Sequence, residues 1–249
     1  ANLGFLFDPA QPSETLYRWK QSEPLPTTLE VNIVNEHFEL KRQWQADPSL
    51  IVNKSFISEE QAVRDAQSYL QGNKVFAADM GGGELVSFWR AQGSSLVPTI
   101  SLSEADFVKV DMFRKPFQQI DENKKVVAEY GFYTPSPEKG IISVLLSGSN
   151  DINKKVIEVS YRYVAVNYDQ VGEYPIKTVE KAWEELKDGK GYMATLQGTM
   201  GVVRRVTLGY YDTGGEQRYA MPIYVFTGDN DLVAYVSAVR DDVLNPPGF

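Results

Sequence analysis

The sequence predicts an α+β fold made of two related halves, each a helix packed on an antiparallel β-sheet. Apolar residues recur at helical spacing in two capped stretches, residues 58–71 and residues 178–188. Runs rich in β-branched and aromatic residues lie before and after each stretch, as is typical of strands. We therefore expect an irregular lead-in over residues 1–28, an N-terminal half over residues 29–120 and a C-terminal half over residues 121–249.

The N-terminal half is expected to contain one helix between two groups of strands. Prolines among polar residues make the lead-in irregular, and its residues 16–19 match a single helical turn. Ser58 and Gln61 form a capping-box pattern at the start of the helix, and Gly72 ends it. The strands expected around this helix are residues 29–44, as one long strand or a hairpin, 85–90, 96–101 and 107–113.

The C-terminal half repeats this order of elements. Thr178 is the expected N-cap of its helix, because a threonine hydroxyl can accept from a backbone N–H of the first turn. Trp183 lies on the apolar stripe of this helix, and we expect it to be buried as the anchor of the helix on its sheet. The strands expected around this helix are residues 126–133, 141–146, 155–167, 202–211, 223–226 and 232–236.

One helix on an antiparallel sheet, occurring twice, resembles the PepSY-like modules of bacterial extracytoplasmic proteins. Over about residues 155–240 the chain is similar, more specifically, to the YycI family of membrane-anchored regulators of a cell-wall histidine kinase. The residues that carry this resemblance are Ala182, Trp183, Leu186, Gly189, 206–211 (VTLGYY), 222–226 (PIYVF) and 235–238 (YVSA). The resemblance implies a membrane-tethered, non-catalytic module outside the cytoplasm, and it brings no catalytic residue to this chain.

Composition narrows the classes of function. The chain has 249 residues and a net charge of −8, and such an acidic surface repels phosphate backbones, so we expect no nucleic-acid partner. It contains no cysteine, which excludes thiol catalysis, cysteine-ligated metal centres and disulfides. No apolar run approaches the roughly 20 residues of a membrane span. The first residue is Ala1 and not Met, so we expect a removed N-terminal anchor or signal, the alternative being an arbitrary cut.

Candidate catalytic residues all have plain structural explanations in the sequence. His37 is the only histidine, and it lies in a strand-like segment without a nucleophile motif nearby. The carboxylate pairs Glu59/Glu60 and Glu184/Glu185 lie on the polar sides of the two predicted helices, where solvated carboxylates are common. We therefore expect no catalytic residue, no cofactor and no metal site.

The sequence leaves two functions open, and it favours the first. The first is a non-catalytic extracytoplasmic module, membrane-tethered, that binds a protein partner of a bacterial envelope; its oligomeric state stays open. The second is a carboxylate-dependent hydrolase acting on envelope polysaccharide. Strand alternation places Arg205 and Tyr211 opposite the face that carries Val206 and Leu208. We predict Arg205, Tyr211 and Tyr224 as contact residues, because Tyr and Arg are enriched among residues that dominate binding energy.

Overall fold

The chain folds into β-sheets that carry only short helices. The computed structural model describes residues 3, 5, 7–52, 54–56, 58–215 and 217–244. Strands make up 40% and helices 17%, so the fold is β-rich and the prediction of two helix-on-sheet halves is wrong. The physical reason is width: a helix is about 10 Å across and strands lie about 4.8 Å apart, so one helix covers about two strands. The two long helices therefore cover only part of the eight-stranded and five-stranded sheets, and strands dominate the fold.

Within the described residues the chain forms five α-helices and fifteen strands. The helices are α1 Ser49–Val52, α2 Glu59–Gly72, α3 Ile152–Lys155, α4 Val179–Lys187 and α5 Asp241–Leu244. The strands of the first half of the chain are β1 Leu16–Gln21, β2 Thr27–Asn32, β3 Phe38–Arg42, β4 Met80–Gln92, β5 Ser95–Thr99, β6 Phe107–Arg114 and β7 Phe117–Ile120. The remaining strands are β8 Val126–Tyr130, β9 Phe132–Tyr133, β10 Ile142–Ser147, β11 Val156–Tyr161, β12 Tyr192–Thr195, β13 Val203–Tyr211, β14 Met221–Gly228 and β15 Val233–Ser237.

The chain divides into two compact units that are not simply its two halves. The first unit comprises residues 1–114 and 139–164, and the second comprises residues 115–138 and 165–249. The boundary expected after residue 120 falls inside a segment of the second unit. Strands β10 and β11, which the sequence analysis grouped with the C-terminal half, belong to the sheet of the first unit. Long-range strand pairing decides this division, and local sequence patterns carry no information about which distant strands will pair.

The first unit is built on an eight-stranded antiparallel sheet. Its strand order is β1-β2-β3-β11-β10-β6-β4-β5. Residues 16–19, expected as a helical turn, instead form part of the edge strand β1, which pairs with β2 along its whole length. Aliphatic side chains of the sheet pack against Ala62, Ala66 and Leu70 of α2, and these three residues are buried. The Ser58 hydroxyl accepts from the Gln61 N–H at 3.2 Å, so the predicted helix position and its Ser58 N-cap are confirmed. The Gln61 side chain does not complete the capping box, because its amide donates to Asp65 at 2.9 Å.

A buried arginine holds together the two places where the chain leaves the first unit. Arg114, the last residue of β6, is 4% exposed and forms an ion pair with Asp79. Its guanidinium also donates to the Val164 carbonyl at 2.9 Å and lies 4.9 Å from the centroid of the Tyr163 ring. Both chain exits are thereby tied to one side chain within the unit.

The second unit is built on a five-stranded sheet of order β12-β15-β14-β13-β9. The pairs among β12 to β15 are antiparallel, as expected, and the short strand β9 runs parallel to β13. Helix α4 lies on one face of this sheet, which we call the helix face. The Thr178 hydroxyl accepts from the Lys181 N–H at 3.3 Å, which confirms the predicted N-cap. Strands β7 and β8 form a separate two-stranded hairpin.

Trp183 does not anchor α4 as predicted. Its side chain is 38% exposed, whereas Ala182 and Glu185 are the residues that α4 buries. The Trp183 ring lies 5.9 Å from the ring of Phe226, and the Lys187 ammonium lies 5.7 Å above its outer side. Alanine therefore faces the sheet, and the tryptophan lies at the rim of the interface, where its ring contacts Phe226.

Candidate binding surface

The face of the second sheet turned away from α4 carries most of the predicted contact surface, and we call it the outer face. The strand register shows which side chains share it, because directly opposed residues project to the same side. Its residues are Tyr133, Tyr192, Thr195, Arg205, Thr207, Tyr211, Met221, Ile223, Val225, Thr227, Val233, Tyr235 and Ser237. The centre of this face is buried, at Ile223, Val225 and Tyr235. The side chains that it exposes are Tyr192 and Arg205, and those that are half-buried include Thr195, Thr207, Tyr211, Thr227 and Val233.

The structure brings together two of the three predicted contact residues and separates the third. Arg205 is exposed and Tyr211 is half-buried on the outer face. Tyr224 lies directly opposite Leu208, on the helix face, and is only 6% exposed. Its hydroxyl donates to the Lys177 carbonyl at 2.7 Å. In this position Tyr224 contributes to the core and presents no surface to a partner.

Four tyrosines form a cluster at one end of the outer face, around Tyr235. The ring centroid of Tyr235 lies 5.8 Å from Tyr211, 6.0 Å from Tyr192 and 6.1 Å from Tyr133. The Tyr235 hydroxyl donates to the Thr134 carbonyl at 3.0 Å, and the Tyr192 hydroxyl donates to the Pro135 carbonyl at 3.1 Å. The segment that follows β9 thus closes over this end of the sheet and fixes the tyrosine rings.

Tyr235 and Tyr211 are neutral phenols over the physiological pH range, because the pKa of each hydroxyl is raised. Burial raises the pKa of the Tyr235 hydroxyl, and the neighbouring Tyr211, Tyr133 and Tyr192 raise it further. Burial, followed by the proximity of Tyr192, also raises the pKa of Tyr211. Both groups can therefore donate hydrogen bonds, and neither supplies a phenolate that would act as a base near neutral pH.

Tyr133 and Tyr192 are two tyrosines of the outer face that were not predicted from the sequence as contact residues. Tyr192 is 49% exposed, and it directly opposes Tyr235, so alternation in β15 and β12 together would have placed it there. Tyr133 reaches the face only because β9 pairs with β13. A Cβ added to Gly209 would come within 2.5 Å of the Tyr133 ring, so the ring lies directly against this glycine. No local pattern predicts that contact.

Neighbouring arginines of β13 have different surroundings. A bulge between Val203 and Arg205 takes Arg204 out of the regular alternation. Arg204 binds both carboxylate oxygens of Asp229, at 2.9 and 2.6 Å. Among the residues that the structure describes, the side chain of Arg205 has no hydrogen-bond or ion-pair partner, although its backbone pairs with Thr227. The exposed guanidinium on the outer face is therefore unneutralised.

Of the helix carboxylates expected to be solvated, some are exposed and one is buried in an ion pair. Glu59 and Glu60 are exposed in the first turn of α2, as predicted. Glu185 is instead 6% exposed, and its Oε2 lies 2.8 Å from the buried ammonium of Lys177. Lys177 is also bound at 3.0 Å by Asp241, which lies at the surface. Sequence patterns missed this pair because its two members come from different elements.

Other candidates for chemistry lie apart from the outer face. His37 lies in the first unit, where burial, and then the charge of Arg162, lower the pKa of its imidazole. Within the described ranges no group of three or more His, Asp or Glu residues is arranged to hold a metal ion. In the same residues no helix is both long and apolar enough to cross a membrane.

Comparisons with known proteins leave the chain without an assigned family. No family model, no curated protein and no solved structure matches it.

Proposed function

We propose that this chain is a non-catalytic interaction module that binds a protein partner through the outer face of its second unit. The observation that carries the proposal is the composition of that face. It places a half-exposed tyrosine, Tyr192, and an unneutralised arginine, Arg205, on one rigid sheet. Tyrosine and arginine are enriched among the residues that dominate the energy of protein interfaces.

The side chains of the outer face are held in place, which favours the binding of a partner. The hydroxyl of Tyr192 is held by the Pro135 carbonyl, and its ring stacks on that of Tyr235 with an interplanar angle of 28°. A side chain that is already fixed loses little conformational entropy when a partner binds, so more of its contact energy appears as affinity. The backbone below it belongs to paired strands, which hold Arg205 and Tyr192 at a constant separation.

The proposal includes a location outside the cytoplasm, at a bacterial envelope and on a membrane anchor. The proposed location rests on the resemblance of residues 155–240 to YycI-like regulators, and no feature of the structure supports it further. Fractionation of source cells tests it directly. Recovery of the full-length gene product in the cytosolic fraction, after spheroplasts have been washed, would contradict the location and leave the binding role intact.

Site-specific photo-crosslinking tests the binding role. We expect a photoreactive residue placed at Thr207 or Tyr192 to give one discrete crosslinked product in an envelope extract, because both positions flank the open part of the outer face. The matched control carries the same residue at Glu180, which is exposed on α4 and points away from this face. Gel mobility followed by mass spectrometry of the product identifies the partner.

Two results would contradict the proposed function. Crosslinking at Glu180 that equals crosslinking at Thr207 would show that the outer face is not preferred. Turnover of an envelope polysaccharide by the purified chain, abolished by a single carboxylate substitution, would establish the hydrolase alternative instead.

A further inference from the structure

The open end of the outer face forms a continuous row of side chains from β12 to β13. Strand pairing sets Thr195 opposite Val233, Val233 opposite Thr227, and Thr227 opposite Arg205. At a strand spacing of about 4.8 Å, the row is about 14 Å long. It ends in the unneutralised Arg205, and it has a half-buried valine between two threonines.

The electrostatic setting of Arg205 makes a carboxylate its natural partner. The chain has 33 acidic and 25 basic residues, but the nearby acidic groups are engaged elsewhere. Asp229 binds Arg204, and Asp231 accepts from the Gln197 amide. An arginine guanidinium gains charge-assisted hydrogen bonds when it meets a carboxylate, and these are stronger than bonds between neutral groups.

A polyanion is not expected to bind this row, because the whole chain is negatively charged. The chain as a whole carries a net charge of −8, which repels nucleic acids and anionic surfaces at long range. A short segment with few negative charges meets little of that repulsion beyond the screening length of about 8 Å at physiological salt. The ligand that fits is therefore a peptide segment with a local acidic residue and an aliphatic one.

We propose that the row Thr195–Val233–Thr227–Arg205 binds an extended acidic segment of the partner protein, with a glutamate or aspartate paired to Arg205 and an aliphatic side chain on Val233. The proposal rests on the proposed function, and it adds the chemistry of the partner. Arg205 to Val233 spans two strand spacings, or about 10 Å. A segment in the extended polyproline II conformation repeats every three residues with a rise of about 3.1 Å, so residues three positions apart lie on one side at about that distance. The acidic and aliphatic residues are thus three positions apart.

Peptide titration tests this inference without knowledge of the natural partner. The probe is a ten-residue peptide with glutamate and valine three positions apart, and the matched peptide replaces each glutamate by glutamine. We expect the glutamate peptide to bind the full chain about threefold to fivefold more tightly than the glutamine peptide, or about 0.7–1 kcal/mol, the upper range for an ion pair at an exposed arginine. Arg205→Gln should abolish that difference, and raising the salt concentration should reduce it.

The control variant is Arg218→Gln. Arg218 is also exposed in the second unit, and it is outside the row, so this substitution removes the same charge without touching the site. Equal binding of the two peptides, equal losses in Arg205→Gln and Arg218→Gln, or no binding at all would each overturn the inference. Photo-crosslinking at Thr207 that persists in Arg205→Gln would do so as well, while leaving the proposed function standing.

Discussion

Replacing Lys177 by methionine is expected to lower the free energy of unfolding by about 3–5 kcal/mol, the range for removing one member of a buried ion pair. Lys177 and Glu185 are 8% and 6% exposed, and their charged atoms lie 2.8 Å apart. Without the ammonium, the Glu185 carboxylate is left buried and uncompensated. Its Oε1 already lacks a hydrogen-bond partner among the described residues. Urea denaturation of the full chain measures the change.

Two further variants show that the loss comes from the unpaired charge. The double substitution Lys177→Met with Glu185→Leu should recover most of the stability, because it removes both charges together. Asp241→Asn should leave the midpoint almost unchanged, since the Asp241 side chain is 70% exposed. A single Lys177→Met variant within about 1 kcal/mol of the wild type would show that water reaches Glu185.

The same pair gives a pH dependence of known sign. Burial lowers the pKa of Lys177, but its contacts with Glu185 and Asp241 outweigh that effect and raise the pKa above the ordinary value of 10.5. A raised pKa in the folded state means that the native protein holds the proton more tightly than the unfolded chain does. The contribution of the Lys177 ammonium is therefore present at pH values below 10.5 and is lost as the pH rises through its raised pKa, which urea denaturation between about pH 8 and pH 11 measures.

The second large effect is expected at Phe226. Phe226 is fully buried between sheet and helix, with neighbours that include Trp183. Phe226→Ala should cost about 3–5 kcal/mol, because it removes the transfer energy of the ring and leaves a cavity. Trp183→Ala should cost less, about 1–2 kcal/mol, because the indole at the rim is partly hydrated in the folded state. Denaturation followed by circular dichroism compares both variants with the wild type.

The order of these two losses is the critical result. A larger loss for Trp183→Ala than for Phe226→Ala would mean that α4 is anchored by its tryptophan, as the sequence suggested, and that the rim position is not its place in solution. Lys187→Ala provides a control for Trp183, since it removes the cation that lies 5.7 Å from the indole and leaves the ring itself in place.

Local features of the sequence predicted the two longest helices well. The caps at Ser58 and Thr178 depend on a hydroxyl and a backbone N–H three residues apart, and both bonds are present in the structure. The assignment of Arg205 and Tyr211 to one face also held, because side-chain alternation along a single strand is a local property. The prediction that Tyr224 is a contact residue on the same face is wrong. The register between β14 and β13 sets Tyr224 opposite Leu208, and this long-range pairing decides which face its side chain joins.

The sequence by itself determined the acidic charge, the absence of thiol chemistry, the positions of α2 and α4 and the alternation along β13. Tertiary structure alone decided the β-rich fold class, the return of β10 and β11 to the first unit, and the arrival of Tyr133 on the outer face. It also decided the burial of Glu185 beside Lys177. The physical reason is the range of the interactions: caps and alternation act within a few residues, whereas strand partners join segments that are far apart along the chain. Lys177 and Glu185 are only eight residues apart, but Lys177 precedes α4, so the helical pattern does not show that its ammonium turns back to Glu185.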